Sequence, residues 1–234
     1  MIRHLFFDLD RTLWDFEVNS KKALNKCYEH FNLSTIFSHF IQFHSIYSTI
    51  NNDLWKKYGK GKITKDALRI ERFRKTLAKV NCFDSELSEK LNIYYVDNAP
   101  KETQLFPNTK ITLEELKKNY RLHIITNGFQ EAQFDKLKNA GIFDYFTTIV
   151  CSEMVGKNKP HIEIFKYAMN TANATPNESI MIGDDLLVDI IGAIQSGMQG
   201  VLFDPNDKYI KSKHQQKIKN IAELPYLLTT YPIN

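Results

Sequence analysis

The sequence predicts an α/β protein with a Rossmann-like parallel sheet, helices on both faces, and an inserted helical domain. Three observations support this fold class. An apolar run at residues 5–7 ends in two aspartates, strands and helices alternate after Pro107, and residues 16–98 show helical periodicity without a convincing strand. A helical stretch of roughly eighty residues is too long for an ordinary crossover. We therefore expect a core domain of residues 1–15 plus 99–234 and a helical cap domain of residues 16–98.

The first strand is predicted from Leu5, Phe6 and Phe7, which are consecutive and apolar, as expected of a strand buried on both faces. Asp8 then lies at the carboxyl end of this strand, where open α/β sheets bind their ligands. Asp8 and Asp10 point to the same side while the chain stays extended, and two like charges so close need a cation or a hydrogen-bond network. A divalent ion with oxygen ligands is the simplest partner. A turn with two solvated aspartates is the alternative.

The inserted stretch is predicted to be helical throughout. Thr64 is expected to cap a helix, and the last helix is expected at residues 85–95. Trp55 and Tyr58 lie in this stretch. They are either part of the core of the cap or an aromatic surface for substrate.

The region after Pro107 is predicted to alternate between helices and strands. Helices are expected at residues 109–118, 130–140, 161–172 and 188–196, and strands at 120–126, 146–152, 179–183 and 200–203. Ile111 is expected to face inward in the first of these helices, and Pro160 to occupy the first turn of the third. The lysine-rich segment 208–219 is interpreted as a solvated face, and residues 221–228 are expected to return to the sheet.

Composition excludes several functional classes. The net charge of +4 is mild and the lysines are scattered, so we expect no nucleic-acid partner. No apolar run is long enough to span a membrane, and no signal peptide is evident. Three widely spaced cysteines without a CxxC pair fit a reducing compartment. We expect a cytoplasmic monomer or weak homodimer that acts on a small molecule.

Three further polar clusters follow predicted strands or precede a helix. They are Thr126-Asn127-Gly128, Lys159-Pro160, and Gly183-Asp184-Asp185 with Asp189. Because parallel strands place their carboxyl ends along one edge, one crevice can collect these clusters. Carboxylates, a hydroxyl, amides and a lysine together suit phosphoryl transfer. Alone, each has a simpler explanation, since Thr126 can cap a strand end and Asp189 can occupy a first helical turn. Lys159 or its neighbour Lys157 can be a surface lysine.

The four clusters resemble the four motifs of the haloacid dehalogenase superfamily, in the order of that family. Asp8-Leu9-Asp10-Arg11-Thr12 resembles the first motif, Thr126-Asn127 the second, Lys159-Pro160 the third, and Gly183-Asp184-Asp185 with Asp189 the fourth. An insertion just after the first motif is similar to the subgroup with a helical cap. The dehalogenases themselves lack the second aspartate of the first motif, so Asp10 favours phosphate esters over carbon–halogen substrates.

The resemblance implies a role for each motif residue. Asp8 attacks phosphorus and forms an aspartyl-phosphate, and Asp10 protonates the leaving oxygen and then activates water. Thr126 with the backbone of Asn127 and Gly128 binds phosphate oxygens. Lys159 neutralises negative charge. Mg²⁺ is bound by Asp8, Asp184 and the backbone carbonyl of Asp10, while Asp185 or Asp189 holds a water bound to the metal or orients Lys159.

A finer resemblance links the chain to the bacterial pyrimidine 5′-nucleotidases of this superfamily. It rests on cap residues from Leu54-Trp55 to Arg72-Phe73, on Ile125-Thr126-Asn127-Gly128-Phe129, and on Ser152-Glu153 leading to Lys159-Pro160. It implies a nucleoside 5′-monophosphate phosphatase. The alternatives are a sugar-phosphate phosphatase or phosphomutase with the same core motifs, a phospho-accepting signalling receiver, and a catalytically silent binding protein.

Overall fold

The computed structural model describes residues 1–209 and 216–230. The chain divides into two compact units, Met1–Phe16 with Thr103–Asn234, and Glu17–Glu102. The unit boundaries thus lie at residues 16/17 and 102/103, where the sequence placed the domain boundaries at 15/16 and 98/99.

The first unit contains a parallel sheet. Within the described residues it has six strands, namely β1 (His4–Phe7), β2 (Arg121–Thr126), β3 (Phe146–Cys151), β4 (Ser179–Gly183), β5 (Gln199–Phe203) and β6 (Gln216–Ile218). The strand order is β3-β2-β1-β4-β5-β6, so β1 is central. This order confirms the predicted Rossmann-like sheet and differs from the 2-1-3-4-5 order of a signalling receiver.

Ten α-helices are found in the described residues of the two units. They are α1 (Phe16–His30), α2 (Phe40–Gly59), α3 (Lys65–Ala78), α4 (Ser85–Asn98), α5 (Thr109–Leu116), α6 (Gln130–Asn139), α7 (Ser152–Val155), α8 (Ile162–Thr171), α9 (Gly192–Gln195) and α10 (Leu224–Thr230). A π-helical segment at Leu186–Ile191 leads directly into α9. The predicted helix at 188–196 is therefore correct in place but wrong in its first half, which has the wider π winding.

The two faces of the sheet carry separate hydrophobic cores, because successive side chains of a strand point to opposite faces. Leu5 and Phe7 contribute to one core, together with Leu113 and Leu116 of α5. Phe6 contributes to the other core, which is covered by the apolar face of α8. Strand β1 is thus buried on both sides, as its continuous apolar run predicts.

Two details of the predicted helices are wrong. Ile111 is 73% exposed, because α5 buries Thr109, Thr112, Leu113 and Leu116, a stripe at helical spacing that excludes it. Pro160 does not occupy the first turn of α8, since His161 is the N-cap residue and the helix begins at Ile162. Both helices are in their predicted places. Ile111 lies on a different face of its helix than predicted, and Pro160 lies just before its helix instead of in the first turn.

The lysine-rich segment is solvated at Lys208 and Lys219 as predicted, but it also contains a strand that the sequence did not predict. Strand β6 pairs with β5, and Lys217 and Lys219 form ion pairs with Asp207. Residues 210–215 of this segment lie outside the described residues. As predicted, residues 221–228 return to the sheet, where Ile221, Leu224 and Leu228 join one of the cores.

The second unit is helical in its described residues and contains α1 to α4 after Phe16, packed around an aromatic core that includes Phe43, Tyr47 and Phe73. Thr64 caps α3 as predicted, because its hydroxyl accepts a hydrogen bond of 3.2 Å from the backbone N–H of Ala67. Helix α4 runs to Asn98, three residues beyond the predicted end. Across the described residues, none of the helices is both long and apolar enough to span a membrane.

Candidate active site

Asp8 stands at the carboxyl end of the central strand. Its backbone N–H donates to Ile182 O at 2.8 Å, which extends the pairing of β1 with β4 by one residue. The chain then turns sharply, because Leu9 O accepts hydrogen bonds from the N–H groups of residues 12, 13 and 14. The Asp8 carboxylate is buried, and the Thr12 hydroxyl lies 3.4 Å from its Oδ2.

Lys159 is the direct partner of Asp8. Its Nζ lies 2.6 Å from Asp8 Oδ1, 2.6 Å from Asp189 Oδ1 and 2.7 Å from the carbonyl oxygen of Ile125. Burial alone lowers the pKa of Lys159, but the two adjacent carboxylates outweigh burial and raise its pKa above the ordinary value. Lys159 is therefore a fixed positive charge beside Asp8.

Asn127 fixes the backbone that carries Lys159. Its side-chain Oδ1 accepts from Lys159 N at 2.7 Å, and its Nδ2 donates to Lys159 O at 3.0 Å. The side chain of Asn127 is thus occupied with the lysine loop, which leaves only its backbone for a bound phosphate. Lys157, the alternative lysine, is exposed.

Three acidic side chains form a buried cluster. Carboxylate oxygens of Asp8, Asp184 and Asp189 all lie within 4.8 Å of one another. Burial raises the pKa of Asp8 to about 7. The charge of Lys159 opposes this shift, whereas the charges of Asp189 and Asp10 add to it. Burial, followed by the charges of Asp189 and Asp8, raises the pKa of Asp184 to about 8. Such crowding of oxygen ligands fits a hard divalent cation, which would neutralise the cluster.

Asp189 and Asp185 have different tasks. Asp189 has both oxygens engaged, Oδ1 with Lys159 and Oδ2 with the N–H of Asp185 at 3.0 Å. It is therefore placed to orient Lys159. Asp185 caps the π-helical segment, since its Oδ1 accepts from the N–H groups of Leu187 and Val188 at 2.9 Å. Asp8 and Asp184 directly follow β1 and β4, so both are candidate metal ligands at this edge of the sheet.

Asp10 lies outside the acidic cluster and has two partners that the sequence analysis did not identify. Lys136 Nζ is 2.6 Å from Asp10 Oδ1, and Gln133 Nε2 donates to Asp10 Oδ2 at 3.0 Å. Both residues belong to the buried face of α6. A signal was present in the sequence, because Gln133 lies at helical spacing from the apolar Leu137 and Ala140. A polar residue in such a stripe points to a buried polar partner.

Thr126 is connected to Asp10 through Gln133. The backbone N–H of Gly128 donates to Thr126 Oγ1 at 3.1 Å, and this hydroxyl donates to Gln133 Oε1 at 3.0 Å. The Thr126 proton is thus directed at Gln133 in this structure, and the residue is 1% exposed.

Two glycines leave room for these buried polar side chains. A Cβ at Gly183 would lie 2.4 Å from Asp189 Oδ2, and a Cβ at Gly128 would lie 2.2 Å from Gln133 Nε2. Both distances are far below van der Waals contact. A larger residue at either position would therefore displace the side chain that holds Lys159 or Asp10.

The aromatic candidates of the helical unit lie together on α2. The rings of Trp55 and Tyr58 pack edge to face with centroids 5.6 Å apart, and both side chains are half-buried. This geometry is compatible with both interpretations of the pair, as cap core or as a surface for substrate.

Comparisons with known proteins agree with the geometry. The model of the haloacid dehalogenase-like hydrolases matches residues 5–203. Pyrimidine 5′-nucleotidase YjjG of Escherichia coli is 31% identical over 219 residues, which cover 93% of this chain and 90% of that protein. A glyceraldehyde 3-phosphate phosphatase of Methanothermobacter thermautotrophicus is 39% identical over 131 residues, 53% of this chain and 58% of its own.

Among solved structures, the HAD-hydrolase YfnB from Bacillus subtilis superposes with a TM-score of 0.87 at 28% identity, over 97% of this chain and 99% of that one. Its crystal structure is described as bound to magnesium and as revealing interdomain movement. The resemblance found in the four motifs is thereby confirmed. The chain belongs to the haloacid dehalogenase-like hydrolase family, as a hydrolase of phosphate monoesters.

Proposed function

We propose that the protein is a Mg²⁺-dependent phosphatase that works through an aspartyl-phosphate on Asp8, with nucleoside 5′-monophosphates as substrates. The observation that carries the proposal is the buried Asp8 carboxylate at the end of the central strand, held by Lys159 and crowded by Asp184. A buried carboxylate fixed in this way is a suitable nucleophile, because it cannot rotate away from a bound phosphate.

The donor set supports Mg²⁺ as the cofactor. Asp8 and Asp184 offer carboxylate oxygens, the backbone carbonyl of Asp10 is a third candidate ligand, and no sulfur or imidazole is part of the described cluster. When bound, Mg²⁺ would offset the negative charge that the substrate phosphate brings to two carboxylates. The magnesium bound to YfnB is consistent with this assignment.

The reaction proceeds in two half-reactions. In the first, an Asp8 oxygen forms a bond to phosphorus while the bond from phosphorus to the leaving oxygen breaks, and Asp10 gives that oxygen its proton. In the second, water attacks phosphorus, the bond to Asp8 breaks, and Asp10 takes a proton from the water. Phosphate leaves and Asp10 is protonated again, so that one water is consumed for each ester.

The remaining core residues bind the transferred group. Lys159 counters the charge of the phosphate oxygens next to Asp8, and the backbone N–H groups near Asn127 and Gly128 donate to those oxygens. Thr126 joins them when its hydroxyl turns from Gln133 to the substrate. Each of these groups contacts only the phosphoryl group, so none of them can distinguish one leaving alcohol from another.

Selectivity must come from elsewhere, and we propose that the helical unit is a cap domain that supplies it. The similarity to YjjG, a pyrimidine 5′-nucleotidase, spans nearly the whole chain and therefore includes the cap. Trp55 and Tyr58 offer aromatic rings of the kind that stack on a nucleobase. The interdomain movement described for YfnB is consistent with a cap that closes over its substrate.

A sugar phosphate is the second candidate substrate. The similarity to glyceraldehyde 3-phosphate phosphatase is higher in identity, 39%, but covers only 53% of this chain. A phosphomutase would use the same core residues and return the phosphoryl group to a sugar. These alternatives differ in the leaving group and in the acceptor, and leave the chemistry at Asp8 unchanged.

The cellular setting forms part of the same proposal. We propose a cytoplasmic enzyme, monomeric or weakly dimeric, without a nucleic-acid or membrane partner. The three cysteines are free thiols, and Cys27 and Cys151 are buried, which is compatible with a reducing compartment.

A substrate panel tests the proposed function. Purified protein with Mg²⁺ is assayed for phosphate release from nucleoside monophosphates, sugar phosphates and p-nitrophenyl phosphate, with Asp8→Asn as the blank. We expect the highest kcat/KM for a nucleoside 5′-monophosphate. A sugar phosphate that outranks every nucleotide would replace the substrate proposal, and an isomerised sugar phosphate without phosphate release would indicate a mutase. Activity that survives Asp8→Asn would overturn the mechanism.

A further inference from the structure

Helix α6 carries two buried polar residues that the proposed chemistry has not used. Gln133 is 1% exposed and Lys136 is 7% exposed, although both are long polar side chains that normally lie at the surface. Burying an ammonium group is costly unless a partner compensates its charge. The partner of Lys136 is Asp10, at 2.6 Å.

The environment of Lys136 favours one position for its ammonium group. Its Nζ also lies 4.3 Å from the centroid of the Trp14 ring, a distance typical of a cation–π contact. The carboxylate on one side and the ring face on another confine the ammonium group. Lys136 is therefore a rigid anchor for one oxygen of Asp10.

Gln133 holds the second oxygen of Asp10 and reaches a second site residue. Its Nε2 donates to Asp10 Oδ2, while its Oε1 accepts the proton of Thr126. One amide thus joins the residue that moves the proton to a residue of the phosphate-binding motif. The absence of a side chain at Gly128 makes this position accessible, because a Cβ there would lie 2.2 Å from Nε2.

We propose that Gln133 and Lys136 are positioning residues for Asp10, which fix its carboxylate for proton transfer to the leaving oxygen. When the O–H bond of Asp10 breaks and the O–H bond of the alcohol forms, the electron pair stays on Asp10. Lys136 stabilises that charge without movement, and Gln133 keeps the other oxygen in place. This inference rests on the proposed function and concerns only the proton transfer within it.

The inference predicts a dependence on the leaving group. An alkoxide is a poor leaving group and needs the proton of Asp10, whereas p-nitrophenolate leaves without one. Because kcat/KM reports the steps up to release of the alcohol, misplacing Asp10 should lower it for alkyl esters and spare it for the aryl ester. A general loss of structure would lower both in the same proportion.

The test compares Lys136→Met and Gln133→Met with Lys138→Met on two esters, p-nitrophenyl phosphate and the best alkyl phosphate of the panel. Lys138 is on the same helix but exposed, so it is a matched control for the loss of a lysine. We expect Lys136→Met to lower kcat/KM for the alkyl ester by about 30-fold or more and for the aryl ester by less than about 3-fold. Gln133→Met should also lower kcat/KM more for the alkyl ester than for the aryl ester, but by a smaller factor. Lys138→Met should match the wild type on both esters.

Two further readouts separate positioning from stability. Lys136→Arg keeps the charge on a group of different shape and should recover part of the alkyl activity. Lys136→Met should also give a burst of p-nitrophenolate, because hydrolysis of the aspartyl-phosphate again needs Asp10. Melting temperatures identify any variant that fails to fold. If Lys136→Met does not fold, the alkyl-to-aryl ratio of kcat/KM is compared between Lys136→Arg and Gln133→Met instead.

The outcomes are distinct. If the wild type hydrolyses neither ester, the proposed function fails and the positioning with it. If the wild type hydrolyses both esters and folded Lys136→Met loses both equally or neither, the proposed function stands and the positioning of Asp10 is overturned.

Discussion

The two buried lysines of the core invite comparison. Among the lysines that the structure describes, only Lys159 and Lys136 are more than nine-tenths buried, and each bonds one aspartate of the first motif at 2.6 Å. The Lys159–Asp8 pair is almost fully enclosed and belongs to a cluster of acids. The Lys136–Asp10 pair is less enclosed, with 21% of the Asp10 side chain exposed.

The difference matches the tasks that we propose for the two aspartates. Asp8 reacts with a phosphorus atom brought to it, so it benefits from complete immobility and a nearby cation. Asp10 must exchange a proton with the leaving oxygen and then with water, so it needs a fixed direction together with access. The same device, a buried lysine paired with a carboxylate, thus serves a nucleophile in one place and a proton carrier in the other.

The largest expected effect separates the two aspartates on the aryl ester. Asp8→Asn removes the nucleophile and should lower kcat/KM for p-nitrophenyl phosphate by at least ~10³-fold. Asp10→Asn should lower it by less than about 10-fold, because p-nitrophenolate needs no proton. Steady-state kinetics measures kcat/KM of both variants relative to the wild type. Equal losses would show that the two aspartates do not have different tasks.

The next prediction tests whether Lys159, and not Lys157, is the lysine that acts with Asp8. Lys159→Ala leaves Asp8 and Asp189 without their shared cation and should lower kcat/KM by about 10²-fold or more. Lys157→Ala, two residues away and exposed, should stay within about 2-fold of the wild type. Melting temperatures are recorded alongside, since Lys159 is buried. The reverse ranking would mean that the third motif has been assigned to the wrong lysine.

Proton competition for the metal should involve Asp8 and its neighbour Asp184 and not the Asp10 side chain. The pKa of Asp8 is raised to about 7 and that of Asp184 to about 8, so both carboxyls hold protons below these values in the metal-free protein. As pH rises through this window the protons leave, and Mg²⁺ affinity should increase by more than ~10²-fold between pH 6 and pH 8. Titration calorimetry or the Mg²⁺-dependent shift in melting temperature measures it.

Two variants provide the contrast for the metal experiment. Asp184→Asn should reduce the pH dependence, because it removes one of the two titrating ligands and leaves Asp8. Asp10→Asn should keep it, since its side chain lies outside the cluster. Mg²⁺ affinity that is the same at pH 6 and pH 8 in the wild type would contradict the metal assignment. EDTA should abolish turnover and added Mg²⁺ should restore it.

The smallest effect concerns the two glycines. Gly183→Ala pushes a methyl group against Asp189, and Gly128→Ala pushes one against Gln133, so both variants should lose activity through displaced polar side chains. We expect a loss of about 30-fold for Gly183→Ala and about 10-fold for Gly128→Ala, the latter confined to alkyl esters. Gly59→Ala is the control, because nothing lies within 4 Å of its added Cβ. Equal behaviour of all three would show that neither glycine makes room for a functional side chain.

Much of the fold could be predicted from local sequence. The consecutive apolar residues of β1 identified the central strand, and the alternation of strands and helices identified the parallel sheet. Strand β6 was missed because its three residues have no distinctive pattern, and it is defined only by pairing with β5. The position of Ile111 was missed because threonines take part in the buried stripe of α5.

The candidate site was predictable where a motif lies beside a strand end and unpredictable where it depends on distant pairing. Asp8, Lys159 and Asp184 follow recognisable patterns. The bonds from α6 to Asp10 join residues separated by more than 120 positions, and no local rule specifies which carboxylate a buried lysine meets. Sequence likewise left Asp185 and Asp189 interchangeable, whereas the structure distinguishes them by what each oxygen accepts.

The central claim is that Asp8 carries the phosphoryl group and the side chain of Asp10 only moves protons. Reaction of Asp10→Asn with p-nitrophenyl phosphate and Mg²⁺ tests it directly, because the first half-reaction proceeds and the second is slowed. After an acid quench, peptide mass spectrometry should locate a phosphoryl group on Asp8, with a burst of p-nitrophenolate stoichiometric with enzyme. A phosphoryl group on another residue, or continued hydrolysis with Asp8 unmodified and no burst, would contradict the account.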